Sequence, residues 1–303
     1  MGKKMLFIFN PQSGKGKIKN YLFEIIERFS EAGYEVTVYP TKGSSDCEEK
    51  IKESALRFDL VVVSGGDGTL NEAVSGMLYL DESDRIPIGY IPSGTMNDFA
   101  STNNISPTPV DAADQIIFGK YIPYDIGILN GKTFIYVAAF GAFTDVSYET
   151  PQINKNIFGS LAYFLECFKS LPKIKGVNAE ITDNKGNIHT VNASLVLIMN
   201  ATSVAGFEFG EFYDIDTSDG LFEIVVVPKS VNLLDLPAII NGIKNGEREI
   251  NGAYIISASK AIIKTDEPVK WTLDGEFGGE TDYAEFSVMH KGVNFFMSKR
   301  NQN

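Results

Sequence analysis

Glycine-rich segments with polar side chains are the part of this sequence best suited to chemistry on phosphate groups. Glycine lets a backbone approach a polyanion closely, and the free N–H groups and dipole at the start of a helix favour phosphate there. For one such segment alone, the alternative is a tight strand-to-helix turn in which Asp67 is a simple cap. Repetition of the pattern weakens that alternative, although no segment matches the Walker A or the dinucleotide fingerprint. The three segments are Asn10-Pro11-Gln12-Ser13-Gly14-Lys15-Gly16-Lys17, Gly65-Gly66-Asp67-Gly68-Thr69-Leu70-Asn71-Glu72 and Pro92-Ser93-Gly94-Thr95-Met96-Asn97-Asp98-Phe99-Ala100.

Carboxylates on predicted turns form a second group of candidates. Asp214, Asp216 and Asp219 lie close together before a glycine and offer hard oxygen ligands at loop spacing, which suit magnesium or calcium. An acidic surface turn is the alternative for these residues. Glu276 follows Asp274-Gly275 in a turn between predicted strands, and from its local sequence alone it is a solvated acid.

The first 125 residues alternate between two hydrophobic periods. Short apolar runs that end in Asn-Pro, Pro or Gly-Gly are typical of buried parallel strands, and helical spacing between them predicts crossovers in a doubly wound sheet. Ligands of such sheets bind at the carboxyl ends of the strands, where the glycine-rich segments lie. Strands are predicted at Met5 to Phe9, Glu35 to Tyr39, Leu60 to Val63 and Ile86 to Ile91, and helices over 18–29, 45–57, 69–80 and 109–118.

After about residue 125 the pattern changes to β-rich alternation with turn signals such as Asn130-Gly131, Asp219-Gly220 and Asp274-Gly275. This predicts a mostly antiparallel β-sandwich, with helices near 157–171 and 231–244. The length also favours two domains. We therefore expect an α/β domain over residues 1–125 and a β-rich domain over 126–303, whose last residues are candidates to pack back on the first domain.

Together the three glycine-bearing segments resemble the diacylglycerol kinase catalytic-domain family, which also includes sphingosine and ceramide kinases. Within that family the sequence is most similar to the soluble bacterial diacylglycerol kinases. The resemblance extends along nearly the whole chain, since Tyr124-Asp125-Ile126-Gly127, Asp219-Gly220 and Leu273-Asp274-Gly275-Glu276 also fit the family in order.

The resemblance implies an ATP site in the cleft between the two domains. It implies that Asp67 supports a magnesium and phosphate network, that Glu276 is the general base, and that Asp125 supports Glu276. A strand or helix cap is the alternative for Asp125. A structural magnesium is implied at the Asp219 side chain and the main-chain carbonyls of Asp216 and Leu221. The ATP-binding residues implied are Asn10, Pro11, Gln12, Ser13, Gly14, Thr41, Gly65, Gly66, Asp67, Gly68, Thr69, Leu70, Asn71, Glu72 and Thr95.

The function implied by the resemblance is transfer of the γ-phosphoryl group of ATP to diacylglycerol, which gives phosphatidic acid. Sphingoid bases, ceramide and monoacylglycerol are alternative substrates, because the segment from Asn200 to Gly206 lacks the run of glycines seen in many relatives. An NAD kinase shares the Gly-Gly-Asp-Gly-Thr loop, but the segment from Pro92 to Ala100 favours a lipid kinase. A non-catalytic lipid sensor would be expected to have lost Glu276 or Asp67, and both are present.

Composition limits the partners. The net charge of −12 argues against nucleic-acid binding, which requires a basic face, and it restricts membrane contact to a local basic or apolar patch. A helix from Phe158 to Phe168 followed by lysines is a candidate for that patch, although packing on the β-rich domain is the alternative. No stretch approaches the roughly 20 apolar residues of a membrane span.

The two cysteines are 120 residues apart in no metal-ligand pattern, and they favour a reducing cytosol over a disulfide framework. The lipid substrate that the resemblance implies adds peripheral, transient contact of this cytoplasmic protein with the membrane. The sequence is also compatible with a homodimer. No partner is visible for His189 or His290, and neither histidine is assigned a role.

Overall fold

The computed structural model describes residues 2–95, 97–141, 176–200, 203–204, 207–208, 217–231, 235, 238–239, 242 and 247–297. The chain divides into two compact units, one made of residues 1–124 and 291–303 and the other of residues 125–290. The chain passes from the first unit to the second within one strand and returns within its last strand.

Unit 1 alternates strands with helices. Short 3₁₀ turns at Ser13–Asn20, Ala55–Arg57 and Glu82–Asp84 join some of these elements. In chain order the elements are β1 (Lys3–Phe9), α1 (Leu22–Glu31), β2 (Tyr34–Pro40), α2 (Asp46–Ser54), β3 (Leu60–Gly65), α3 (Asp67–Leu78), β4 (Ile88–Pro92), α4 (Asp98–Thr102) and α5 (Pro109–Phe118), followed by β5 (Lys120–Leu129), which leads into unit 2.

The sheet of unit 1 has the order β2-β1-β3-β4, and every one of these pairs is parallel. β3 and β4 are buried along their whole length because helices cover a parallel sheet on both faces. β2 has a neighbour on one side only, and its side chains are accordingly half-buried or exposed. The parallel strands predicted from the sequence are confirmed.

Three helices of unit 1 differ from the prediction. The helix predicted from residue 18 begins at Leu22, because Gly14, Lys15 and Gly16 have left-handed backbone angles and the chain from Ser13 to Asn20 forms an irregular 3₁₀ turn. The helix predicted from residue 69 begins at Asp67, with Gly66 as its N-cap. α4 was not predicted at all, since its five residues are too few to show a helical period.

Unit 2 is rich in strands. Besides the end of β5, its strands are β6 (Lys132–Phe134), β7 (Val137–Gly141), β8 (Val177–Asp183), β9 (Ile188–Met199), β10 (Ser203–Val204), β11 (Phe207–Glu208), β12 (Phe222–Pro228), β13 (Glu249–Ile250), β14 (Ala253–Ala258), β15 (Lys260–Leu273) and the first part of β16 (Glu276–Met297).

Unit 2 is mostly antiparallel, as predicted. Residues of β5 to β9, β12 and β14 to β16 enter one apolar core, in which the ring of Phe140 meets that of Trp271 edge-on with 5.0 Å between their centroids. The β-rich second region is therefore confirmed, and the sandwich form stays a prediction. The helix predicted over 157–171 lies outside the described residues. Of the helix predicted over 231–244, residues 238, 239 and 242 are described as helical.

Candidate active site

A cavity of about 520 Å³ lies within unit 1 and is walled by the loops that follow its strands. Loops at the carboxyl ends of parallel strands meet at one edge of the sheet, so the three glycine-bearing segments converge here. The residues that line the cavity are Asn10, Gln12, Ser13, Gly14, Thr41, Lys42, Gly43, Ser44, Gly66, Gly68, Thr69, Glu72, Gly94 and Thr95.

Glycine is required where these loops touch. A Cβ atom on Gly14 would overlap the carbonyl oxygen of Ser93, and Gly14 also has a left-handed φ of 55°. A Cβ atom on Gly94 would lie 2.5 Å from the Cα of Gly66. The loops after β1, β3 and β4 therefore meet backbone to backbone, which only residues without a side chain allow.

Hydrogen bonds between neighbouring strand ends fix these loops. The N–H of Asn10 donates to the carbonyl of Ser64 (2.8 Å), and the N–H groups of Ser93 and Gly94 donate to that of Gly65 (2.8 and 3.1 Å). The Asn10 side chain also accepts the N–H of Gln12 at 2.9 Å. The cavity wall is thus built by the same backbone pairing that builds the sheet.

Asp67, at the first position of α3, joins the second loop to the third. Its Oδ2 accepts the N–H of Asp98 at 3.2 Å and its Oδ1 accepts that of Phe99 at 3.3 Å, so the carboxylate satisfies the first N–H groups of α4. Burial raises the pKa of the Asp67 carboxyl, and the hydrogen bonds from Phe99 and Asp98 lower it in part. Asp67 is therefore a bridge between two loops of the site.

Glu72, one turn further along α3, also binds backbone N–H groups of a neighbouring segment, which here follows β2. Its two carboxylate oxygens accept the N–H groups of Ser45 (2.8 Å) and Cys47 (3.2 Å) at the start of α2. Burial raises the pKa of Glu72 despite these bonds. Because Glu72 also lines the cavity, it connects the cavity side of α3 to the start of α2.

The cavity contains most of the ATP-binding residues predicted from the sequence. Pro11, Gly65, Asp67, Leu70 and Asn71 do not line it, and the Leu70 side chain is fully buried in the core. The ATP-binding residues predicted from the sequence did not include Lys42, Gly43, Ser44 or Gly94, although Gly94 lies in the third glycine-bearing segment. Lys42, Gly43 and Ser44 follow Thr41 after the end of β2. A polar, glycine-containing segment after a predicted parallel strand was the signal that could have found them.

In unit 2, Asp125 is fully buried and holds the turn that carries Asp219. The N–H of Asp125 donates to the carbonyl of Thr217 at 2.8 Å, and its Oδ2 accepts the N–H of Gly220 at 2.6 Å. Within the same turn, Oδ1 of Asp219 accepts the N–H of Leu221 at 2.8 Å. The structure therefore places Asp125 against the predicted metal turn, while Asp216 lies outside the described residues.

The expectation that His290 has no partner is wrong. Its Nδ1 lies 3.1 Å from Oδ1 of Asp125, although the two residues are far apart in the sequence. His189 also has neighbours, since its Nε2 lies 3.8 Å from Oδ2 of Asp183 and its ring stacks on Tyr254. Neither contact could be inferred from local sequence, because each arises from strand pairing in unit 2.

Glu276 is exposed at the first position of β16, directly after the turn Asp274-Gly275. Both turn residues have positive φ, 47° and 87°, and Leu273 pairs with Glu276, as in a two-residue type I′ hairpin. The predicted turn is confirmed. The role of Glu276 stays a prediction.

Comparison with known proteins agrees with this architecture. A family model of the diacylglycerol kinase catalytic domain matches residues 4–129. The diacylglycerol kinase of Bacillus subtilis (strain 168) is 35% identical over 301 residues, which are 98% of this chain and 97% of that protein. The chain belongs to the diacylglycerol kinase family. The diacylglycerol kinase of Staphylococcus aureus (strain MRSA252) is 36% identical over 298 residues, covering 98% of this chain and 93% of that protein.

Similarity to solved structures in the family extends over the whole fold. The crystal structure of a diacylglycerol kinase from Bacillus anthracis str. Sterne superposes with a TM-score of 0.81 at 25% sequence identity and covers 98% of this chain and 97% of that one. The α/β fold, the strand-rich second region and the resemblance found in the sequence are thereby confirmed. Membership of a kinase family implies the use of ATP.

No helix in the described part of the chain is long and apolar enough to span a bilayer. Nor do the described residues contain a cluster of three or more acidic, histidine or cysteine side chains that could hold a metal ion.

Proposed function

We propose that this chain transfers the γ-phosphoryl group of ATP to the free hydroxyl of diacylglycerol, giving phosphatidic acid and ADP. The observation that carries the proposal is the full-length similarity to bacterial proteins named diacylglycerol kinase, combined with the cavity of glycine-bearing loops in unit 1. In this transfer the lipid oxygen forms a bond to the γ-phosphorus as the bond from the β,γ-bridging oxygen breaks. Catalysis then consists mainly of positioning and charge neutralisation.

ATP would occupy the cavity, with its phosphates against the loops around Gly14, Gly66 and Gly94. Three features support this placement: the loops expose backbone at close range, α3 begins at Asp67, and the dipole of that helix favours an anion at its start. Asp67 and Glu72 would act by holding the loops in place, since both carboxylates already bind backbone N–H groups.

Glu276 would accept the proton of the attacking lipid hydroxyl. Its exposure on a hairpin turn leaves the carboxylate accessible to a substrate, as a general base requires. Asp125 would support the reaction from its buried position beside the turn of residues 217–221.

Magnesium fits the donor chemistry of that turn. The Asp219 carboxylate and the Leu221 carbonyl are hard oxygen ligands, and the prediction adds the carbonyl of Asp216. Bound magnesium would tie the turn together, and magnesium bound with ATP would neutralise phosphate charge. The Asp219 carboxylate already orders the turn through the N–H of Leu221.

A membrane lipid as substrate places the reaction at a bilayer surface, so we also propose transient, peripheral membrane contact of a cytoplasmic enzyme. A homodimer stays a prediction. Other lipids with a free hydroxyl are the second candidate class of substrate, because the loops that would hold ATP do not determine which lipid is bound.

The proposal is tested by assaying the purified protein with ATP and magnesium against mixed micelles that contain diacylglycerol, sphingosine, ceramide or monoacylglycerol. NAD serves as the control for an unrelated kinase. We expect the highest kcat/KM with diacylglycerol. A higher kcat/KM with another lipid would make that lipid the substrate in place of diacylglycerol. Phosphorylation of NAD alone, or of none of these compounds, would overturn the proposal.

The base is tested by Glu276→Gln, which keeps the shape of the side chain but cannot take the proton. General-base assistance contributes about 10²–10⁴-fold, so kcat should fall by that amount while nucleotide affinity is unchanged. A kcat within a few fold of wild type would remove Glu276 from the mechanism.

A further inference from the structure

Asp274, two residues before Glu276, is a buried carboxylate surrounded by backbone donors. Its Oδ2 accepts the N–H of Ile135 at 2.6 Å, and its Oδ1 accepts those of Tyr136 and Val137, each at 3.0 Å. The N–H of Asp274 in turn donates to the carbonyl of Val137 at 2.8 Å. The residue is 8% exposed, so these bonds lie largely out of water, where bonds to a charged acceptor are strongest.

The hairpin turn itself does not require a carboxylate. The turn Asn251-Gly252 between β13 and β14 has nearly the same backbone angles, with φ of 49° and 88° against 47° and 87° at Asp274-Gly275. Asparagine, aspartate and glycine all adopt positive φ in such turns. The role of the Asp274 carboxylate is therefore to bind residues 135–137, because the turn conformation does not depend on it.

That segment is itself firmly placed. Residues 135–137 join β6 to β7, are all buried, and run into β7, which pairs with β15 and β9. On the other side of Glu276, the Lys132 Nζ donates to the carbonyl of Gly278 at 2.9 Å. The strand start that carries Glu276 is thus attached to the β6–β7 segment both before and after that residue.

We infer that Asp274 is a positioning residue for Glu276, and this inference rests on the proposed function, in which Glu276 is the base. A hairpin tip held only by its two strands can pivot about the hairpin axis, and the three N–H bonds to Asp274 stop that movement. The backbone of Glu276 is thereby fixed and its carboxylate is limited to side-chain rotation. Small misplacement of a reacting group costs about 10²-fold in rate for 1 Å, so this attachment has a measurable consequence.

The test is Asp274→Asn, which keeps side-chain size and tolerance of positive φ but replaces one acceptor oxygen with a nitrogen that cannot accept. We expect kcat to fall by about 10- to 100-fold while the KM for ATP and the affinity for a non-hydrolysable ATP analogue stay unchanged. The matched pair Asp274→Gly and Asn251→Gly removes the side chain from two turns of the same conformation. Only the change at position 274 should lower kcat.

A double mutant separates positioning from mere loss of structure. If Asp274 acts through Glu276, then Asp274→Asn added to Glu276→Gln should lower kcat no further than Glu276→Gln alone. An additive loss would overturn the inference, as would a wild-type kcat in Asp274→Asn.

Other outcomes are equally decisive. If Asp274→Asn does not fold, Asp274→Gly decides, because its missing side chain lets water reach the three N–H groups. Failure of both variants to fold would overturn the inference by making Asp274 a requirement of folding. A wild-type kcat in Glu276→Gln would overturn the base and this inference together, whereas an inactive Glu276→Gln beside a fully active Asp274→Asn would overturn the inference alone.

Discussion

Nδ1 of His290 lies 3.1 Å from Oδ1 of Asp125, a carboxylate that is fully buried and whose other oxygen accepts the N–H of Gly220. The His290 side chain is half exposed, so it covers Asp125 at the surface of unit 2. Gly220 fits beneath the same ring, because a Cβ atom there would lie 3.2 Å from Nδ1. One histidine thus joins a buried acid to the turn that carries Asp219.

Removing this contact should lower stability. His290→Ala takes one hydrogen-bond partner from a buried carboxylate, and we expect a loss of about 1 kcal/mol, the lower part of the usual range, because the ring is half exposed and water can replace it. His290→Asn, whose amide nitrogen can occupy the place of Nδ1, should lose less. Urea unfolding measures both, and equal loss in the two variants would show that ring packing rather than Nδ1 matters.

Replacing Asp67 should affect activity and local order together. Asp67→Asn keeps the size of the side chain but offers only one acceptor to the N–H groups of Asp98 and Phe99. We expect turnover to be abolished and the protein to stay folded, with stability lowered by about 1 kcal/mol, the typical value of a helix cap.

Asp111→Asn is the matched control, since Asp111 is an exposed acid in the first turn of α5. Initial rates at saturating ATP and thermal unfolding of both variants supply the measurement. Wild-type turnover in Asp67→Asn would remove Asp67 from the site.

Adding one carbon to Gly94 should disturb the cavity. A Cβ atom there would lie 2.5 Å from the Cα of Gly66 and 2.7 Å from Oδ1 of Asn97. Both distances are shorter than the contacts that a Cβ atom makes in folded proteins. Gly94→Ala should therefore lower the melting temperature and raise the KM for ATP, because the loops after β3 and β4 must separate.

Gly43→Ala is the control for stability, since a Cβ atom at Gly43 meets nothing within 4 Å. Its melting temperature should equal that of the wild type. If Gly94→Ala also unfolds like the wild type and binds ATP normally, the close approach of the two loops is not required.

Glu223 should make stability depend on pH. Burial, the largest cause, and the nearby charge of Asp219 raise the pKa of Glu223 above its ordinary value of 4.5, although the hydroxyl of Ser257 and the charge of Arg248 act in the opposite direction. The folded state then holds the proton more tightly than the unfolded state. The stability that this group contributes is full below about pH 4.5 and is lost as the pH rises through the folded pKa.

Glu223→Gln cannot ionise and should therefore gain stability relative to the wild type between pH 5 and pH 8. Urea midpoints at the two pH values test this, with Glu27→Gln, a change at an exposed position of α1, as the control. A difference between Glu223→Gln and wild type that does not change with pH would contradict the prediction.

Sequence alone determined the features that depend on neighbours along the chain. The buried strands of unit 1 were predictable because an unbroken apolar run such as Leu60 to Val63 indicates burial on both faces of a sheet. Hairpin turns were predictable because Asn-Gly and Asp-Gly favour positive φ, as at Asn130-Gly131 and Asp274-Gly275. The glycine-bearing segments were predictable as loops at strand ends because both the glycines and the strand before each segment are local signals. Their convergence followed from one rule about parallel sheets.

Only the tertiary structure decided which side chains meet. α4 begins where Asp67 binds its first N–H groups, and His290 lies against Asp125 across strands. Glu72 likewise binds the N–H groups of Ser45 and Cys47 at the start of α2. From the sequence, Asp274 is an ordinary turn residue, whereas in the structure its carboxylate accepts the N–H groups of residues 135–137. In each case a polar group that is taken out of water must find a partner, and the fold rather than the local sequence determines which partner is within reach.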